Sequence, residues 1–180
     1  MRVAAVRSNS HTKRLNDRRL ATIVKRCQDL PGYELFQYVD AEGQRQTIDS
    51  ADVNGYLRLI TGQDFTAKDV RTWAGTVLTA YALWAYGAST SQTQAKQNMV
   101  QAIDEVAKRL GNTRAVCRKC YVHPTVLDAY LDHSLFAVPL PHDVLDDGPV
   151  VPGLQPEEMA VLALLKQRCA QQDSLSQKAS

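Results

Sequence analysis

Leu110-Gly111-Asn112-Thr113-Arg114-Ala115-Val116-Cys117-Arg118-Lys119-Cys120-Tyr121-Val122-His123-Pro124 is the stretch on which the fold turns. Gly111 ends one helix, because glycine reaches the left-handed conformation of a helix terminus without steric cost. Thr113 caps a further turn of helix through Lys119. Pro124 disfavours helix at His123, so Tyr121 is expected where one helix ends and the next, Pro124 to about Leu131, begins. A tyrosine near a helix end is ordinarily core or interface, Asn112 after Leu110 reads equally well as a plain C-terminal cap, and neither alone signals chemistry.

Upstream the pattern is helical. Met99, Ile103, Val106 and Leu110 recur at helical spacing and predict a helix from about Thr90 to Leu110. Thr66 followed three residues later by Asp69 is a variant capping box, and Gly87 is a stop. Between them one long helix carries Lys68, Arg71, Trp73, Val77, Leu78 and Tyr81. Ser50 opens a helix with Val53, Tyr56, Leu57 and Ile60, closed by Gly62. Asn16 or Asp17 caps another, stopped by Pro31-Gly32. Glu34 to Val39 and Gln44 to Ile48, around Asp40-Ala41-Glu42-Gly43, read as a short hairpin or a loop with extended edges. Downstream, Phe136 to Gln155 holds Pro139, Pro141, Pro149 and Pro152 and reads as an irregular connection to a last amphipathic helix, Glu157 to Cys169; the polar tail from Ser174 is expected to fray. The chain is thus mainly α with a small β element near its N-terminus. It is read as a single domain over residues 1–173, followed by a polar tail, 174–180.

Composition is that of an ordinary globular protein: 180 residues, 44% hydrophobic and 22% charged. No stretch has the apolar length of a signal peptide or a membrane span, so a cytoplasmic protein is expected. The net charge is +2, but its distribution is polarised. Met1 to Leu30 holds eight Lys or Arg against Asp17 and Asp29, and Val106 to Pro124 holds five and no acid. Asp143, Asp146, Asp147, Glu157 and Glu158 cluster elsewhere. Basic runs attract phosphate backbones by counterion release, although most are solvated helix faces.

Four ordered blocks carry a resemblance: Leu30 to Tyr38, Ser50 to Asn54, Phe65-Thr66-Ala67-Lys68-Asp69-Val70-Arg71-Thr72-Trp73-Ala74-Gly75-Thr76, and Leu110 to Pro124. Together they resemble the catalytic domain of bacterial, poxvirus-like type IB DNA topoisomerases over about Asp17 to Cys169. The resemblance implies the helical fold shared with tyrosine recombinases, double-stranded DNA as partner, a nucleoid-associated monomer, and no cofactor, metal or ATP. It implies Tyr121 as nucleophile, joining the 3′ phosphate and freeing a 5′ hydroxyl. A phenolate, with pKa near ~10, leaves more readily than an alkoxide and keeps that link reversible. Tyr121 lies nine positions beyond Asn112 and fifty beyond Arg71. By resemblance Arg71 grips the non-bridging oxygens with its planar fork, and Asn112 donates an amide N–H where some relatives use histidine. Lys68, Arg114, Arg118 and Lys119 are expected to meet the DNA backbone.

Departures from the family pattern predict impaired chemistry. With His11 and Leu15 aligned to the family's hairpin, Val6 falls where a general-acid lysine belongs, Arg7 is one place off, Lys13 is expected beyond the strand, and no arginine is matched to the family's arginine upstream of the hairpin. Valine donates no proton, and arginine's pKa is too high for a good general acid. Arg114 stands where proline is usual and Cys120 where serine is usual, altering helix entry and packing. Two other readings are carried: a tyrosine recombinase, whose arginine block normally reads arginine-histidine where this chain has Arg71-Thr72, and a non-catalytic DNA-binding remnant. Arg71 pairing with Asp69 is the plain structural alternative for that residue. Cys117, Cys120 and His123 offer three metal-ligand types, but no fourth ligand follows at finger-like spacing, and His123 is read as shaping the backbone behind Tyr121.

Overall fold

Asp17, Asp49, Ser91, Thr113 and His123 each accept backbone N–H groups at a helix start, and these caps punctuate a mainly helical chain. The computed structural model describes residues 6–8, 11–13, 17–138 and 153–178, with side chains described over 17–138 and 153–171. Most of the expected proline-rich connection lies outside the described residues. The chain divides into two compact units, Met1–Ala67 and Lys68–Ser180.

In the first unit, β1 (Val6–Ser8) pairs antiparallel with β2 (His11–Lys13). Lys13, expected beyond the strand, ends β2 directly opposite Val6. Helix α1 (Arg18–Gln28) begins on Asp17, whose carboxylate accepts from Arg19 and Leu20 N–H at 2.7 and 3.0 Å. The expected hairpin forms as β3 (Gln37–Val39) against β4 (Arg45–Thr47), both strands shorter than the sequence reading. Gln37 is buried and donates to the carbonyls of Leu30 and Pro31. Helix α2 (Ser50–Thr61) is capped by Asp49 and Asp52 in a reciprocal capping box, one residue before the Ser50 start, and closed by left-handed Gly62.

In the second unit, α3 (Ala67–Tyr86), α4 (Gln92–Leu110), α5 (Arg114–Cys120), α6 (Pro124–Leu131), a 3-10 turn (Ser134–Ala137) and α7 (Pro156–Lys178) build one hydrophobic core. Ala80 and Leu83 of α3, Ile103 of α4, Val126 and Tyr130 of α6, and Val161 and Leu164 of α7 are nearly or wholly sealed from solvent. The buried indole of Trp84 and hydroxyl of Tyr130 are paired within it, as the cost of burying such a group unbonded requires. Trp84 donates to Leu135 O at 2.9 Å, and Tyr130 Oη donates to Gly87 O at 2.9 Å while accepting from Asn98 Nδ2 at 2.6 Å. Trp73 Nε1 donates to Glu158 Oε1 at 2.7 Å, fastening α3 to α7.

Helix α4, expected from about Thr90, begins at Gln92 with Ser91 as its cap. Helix α7 runs on through the tail expected to fray, reaching Lys178. Residues 170–178 contain no Gly or Pro, so nothing in the sequence arrests propagation once the helix is packed. Among the described residues no helix is long and apolar enough to cross a membrane.

Candidate active site

The end of α4 sets the position of two of the expected residues. Gly111 takes the left-handed conformation and donates to Lys108 O, while Asn112 N–H reaches back to Ala107 O at 2.9 Å. These two bonds form the Schellman closure, which leaves the carbonyl of Leu110 without a helical donor. That orphan oxygen accepts from Arg71 Nη2 at 3.0 Å and lies 3.4 Å from Asn112 Nδ2. One backbone carbonyl therefore gathers Arg71, from the second turn of α3, and Asn112, from 41 positions later, into a single locus.

Tyr121 joins them through its ring. Its backbone N–H donates to Cys117 O at 2.9 Å, ending α5, and the residue is partly buried. The guanidinium carbon of Arg71 lies 4.9 Å from the ring centroid, within the range of a cation–π contact. Among the described residues the Tyr121 hydroxyl makes no hydrogen bond, and the buried Arg71 Nε has no hydrogen-bond partner. A buried donor left unbonded costs about 1–3 kcal/mol, so this atom is a standing demand for an acceptor.

Helix α3 holds the Tyr121 turn from behind. Thr72 Oγ1 reaches Cys120 O at 3.2 Å, sharing its one proton between that carbonyl and Lys68 O at 2.9 Å. Thr76 Oγ1 accepts from His123 N–H at 3.1 Å and donates to Thr72 O at 2.7 Å. Between them Gly75 lies against the tyrosine's own backbone: a Cβ there would come within 2.3 Å of Tyr121 O. His123 in turn caps α6, its Nδ1 accepting from Thr125 N–H at 3.3 Å, so it shapes the chain directly after Tyr121.

The basic residues divide. Lys68 is exposed one turn before Arg71, and Lys119 is exposed two residues before Tyr121. Arg114 and Arg118, also exposed on α5, border a cleft with Val100, Ile103 and Asp104 of α4. Asp104 is held below the usual carboxylate range by its hydrogen bond to Lys108, with Arg114 adding to the effect. Burial pushes the Cys117 thiol up, opposed by the nearby Arg71 charge. Cys117 is sealed while Cys120 and His123 face solvent, and among the described residues no three His, Cys, Asp or Glu converge to hold a metal ion.

Arg71, Asn112 and Tyr121 are thus brought together, whereas Arg114 and Arg118 lie along the α4–α5 edge. Sequence reasoning passed over Thr72, Gly75, Thr76 and the Leu110 carbonyl. A glycine eight residues into an uninterrupted helix, flanked by hydroxyl residues at helical spacing, was the one signal present, since an interior glycine costs roughly 0.5–1 kcal/mol unless close approach requires it.

Two comparisons bear on this arrangement. Residues 5–135 match the family described as the eukaryotic DNA topoisomerase I catalytic core. Over 122 residues, 64% of this chain, the sequence is 29% identical to a DNA topoisomerase 1B of Acanthamoeba polyphaga mimivirus. The chain spans about a third of that relative's length, the match covering 36% of it.

Proposed function

Because this chain belongs to the family of the eukaryotic DNA topoisomerase I catalytic core, we propose that it breaks and rejoins one strand of duplex DNA through Tyr121, the reaction of a type IB topoisomerase. The observation that carries the reading is Arg71, whose guanidinium faces the Tyr121 ring at 4.9 Å while its buried Nε–H waits for an acceptor. Because that atom is shut off from solvent, a non-bridging phosphate oxygen would meet it as the guanidinium turns outward, removing the unsatisfied donor and setting the phosphorus beside the phenol. The Tyr121 hydroxyl gives up its proton to solvent as its oxygen attacks phosphorus, and the bond to the 5′ oxygen breaks as that oxygen takes up a proton. The strand is left with a 3′-phosphotyrosyl link and a free 5′ hydroxyl. One phosphodiester is exchanged for another, so rejoining is the same step reversed and neither ATP nor a metal ion is required for the energy balance.

Arg71 and Asn112 stabilise the charge that develops on the phosphoryl oxygens, and oxyanion donors of this kind contribute ~10²–10³-fold each. Asn112 donates from its amide and moves no proton. Lys68 and Lys119, flanking the site in sequence, meet neighbouring phosphates; Arg114 and Arg118 extend the basic edge.

Proton delivery to the leaving 5′ oxygen is the weak step. Val6 falls at the lysine's place in the family alignment and donates no proton, so cleavage by this chain is slowed by the loss of a positioned acid, roughly 10²–10⁴-fold. A duplex carrying sulfur at the bridging 5′ position isolates this step, because a thiolate leaves without a proton donor. With this substrate the purified chain forms a covalent adduct, and with the ordinary oxygen-bridged duplex the adduct forms far more slowly. Equal rates on the two substrates would contradict the missing acid. No adduct on either, with Tyr121→Phe binding DNA like the parent chain, would reduce the protein to a DNA-binding module. Relaxation of supercoiled plasmid lacking paired sites separates the topoisomerase reading from a recombinase.

A further inference from the structure

Thr72, Gly75 and Thr76 recur at helical spacing on α3, and every one of them touches the short segment that carries Tyr121. Thr72 holds the carbonyl before the tyrosine, Thr76 holds the amide two residues after it, and Gly75 admits its backbone to a distance no side chain allows. Tyr121 is otherwise at a disadvantage for precision. It caps the end of a seven-residue helix, in a non-helical conformation (φ −128°, ψ −2°), before a chain bound for another helix. A hydroxyl that must meet phosphorus in line needs its backbone fixed on both sides, because near-attack geometry is where much of the rate of a displacement originates.

We infer that Thr72, Gly75 and Thr76 are positioning residues for Tyr121, clamping its backbone onto the helix that also carries Arg71. The inference rests on the reading of Tyr121 as nucleophile. Its consequence is that α3 sets the distance between the phosphate-gripping arginine and the attacking oxygen as one rigid part: Arg71 and Gly75 are one turn apart on the same helix. Alanine at 75 would place its Cβ 2.3 Å from Tyr121 O, whereas an ordinary contact is 3.4–4 Å. The Tyr121 backbone must then retreat by about 1 Å, a displacement that costs on the order of 10²-fold in rate. Removing the Thr76 hydroxyl strands His123 N–H and loosens the far side of the clamp. None of these side chains is itself required to touch DNA.

Two readouts on the full chain test this. The first is the single-turnover rate of adduct formation on the sulfur-bridged duplex, alongside DNA affinity. The second is the ¹⁹F resonance of Tyr121 in 3-fluorotyrosine-labelled protein, assigned by its loss in Tyr121→Phe. Gly75→Ala and Thr76→Val are expected to lower the rate, ~10²-fold for Gly75→Ala by the displacement above, with DNA affinity unchanged and the resonance shifted or split; Thr76→Ser restores both. Should Gly75→Ala fail to fold, the Thr76→Val and Thr76→Ser pair decides. An unmoved resonance, or parental rates in Thr76→Val, overturns the clamp. A parent chain that forms no adduct overturns the nucleophile reading, and the ¹⁹F comparison then still reports whether α3 fixes the ring.

Discussion

Replacing Arg71 separates its chemical role from its structural one, because the structural terms nearly cancel. In Arg71→Ala the hydrogen bond to Leu110 O is removed, worth about 1.5–3 kcal/mol for a charged donor. The cation–π interaction with the Tyr121 ring goes as well, about 0.5–2 kcal/mol. Against these, the unpartnered buried Nε disappears, relieving about 1–3 kcal/mol. At the midpoints the net loss is about 1.5 kcal/mol, and at ~2–4 °C per kcal/mol for a chain of this size Tm falls by about 3–6 °C. The chemical term stands uncancelled: a lost oxyanion donor costs ~10²–10³ in rate, about 2.7–4 kcal/mol of barrier. Adduct formation on the sulfur-bridged duplex at 25 °C, where parent and variant are both folded, should therefore drop ~10²-fold or more. Arg71→Lys keeps the charge without the planar fork and recovers little of the rate. A variant rate within about threefold of parent, less than the weakest donor effect expected, would refute the reasoning. So would full recovery in Arg71→Lys, which would make charge rather than geometry decisive.

Tyr130→Phe removes a buried hydroxyl that accepts from Asn98 and donates to Gly87 O, so urea denaturation should show a loss of about 1–3 kcal/mol with the slope unchanged. Exposed Cys120 reacts rapidly with a thiol reagent in the native protein, whereas Cys117 reacts on unfolding, a difference mass spectrometry reads peptide by peptide. Alkaline stability follows from two raised groups: burial lifts Cys117 above 9.0, and burial followed by Glu105 lifts Tyr86 to about 12. Both are neutral when protonated, so their contribution is complete below the unfolded values and drains as pH climbs through the 9 to 12 range; the urea midpoint should be lower near pH ~11 than near pH ~8. Replacing Arg118 and Lys119 together by Gln should weaken DNA binding uniformly across sequences and reduce the salt-dependence slope by about 1 for each phosphate no longer neutralised.

Helix ends were the most legible part of this chain, because their determinants are local. Gly62, Gly111, Thr113 and Pro124 act through their own backbone or through residues within one turn, and each falls where the sequence reading put it. Helix α2 likewise opens at Ser50 as read, while α4 begins at Gln92, two residues after the expected start near Thr90. Helix α7 outruns its expected end because polar Gln and Lys sustain helix well once it has begun. The family resemblance implied that Arg71, Asn112 and Tyr121 share a site. What draws the first two together is a backbone carbonyl, and a carbonyl has no letter in the sequence. Gly75 was legible as an oddity within a helix, but its partner lies 46 residues away, and only the packing of α3 on the Tyr121 turn gives it meaning.

The central claim is that one hydroxyl makes the covalent bond. Adduct formed on the sulfur-bridged duplex, digested with trypsin and nuclease and sequenced by tandem mass spectrometry, reports which residue carries the nucleotide. A nucleotide joined through its 3′ phosphate to Tyr121, absent from Tyr121→Phe, is the expected result. A nucleotide on any other side chain, or an adduct that persists in Tyr121→Phe, would contradict it.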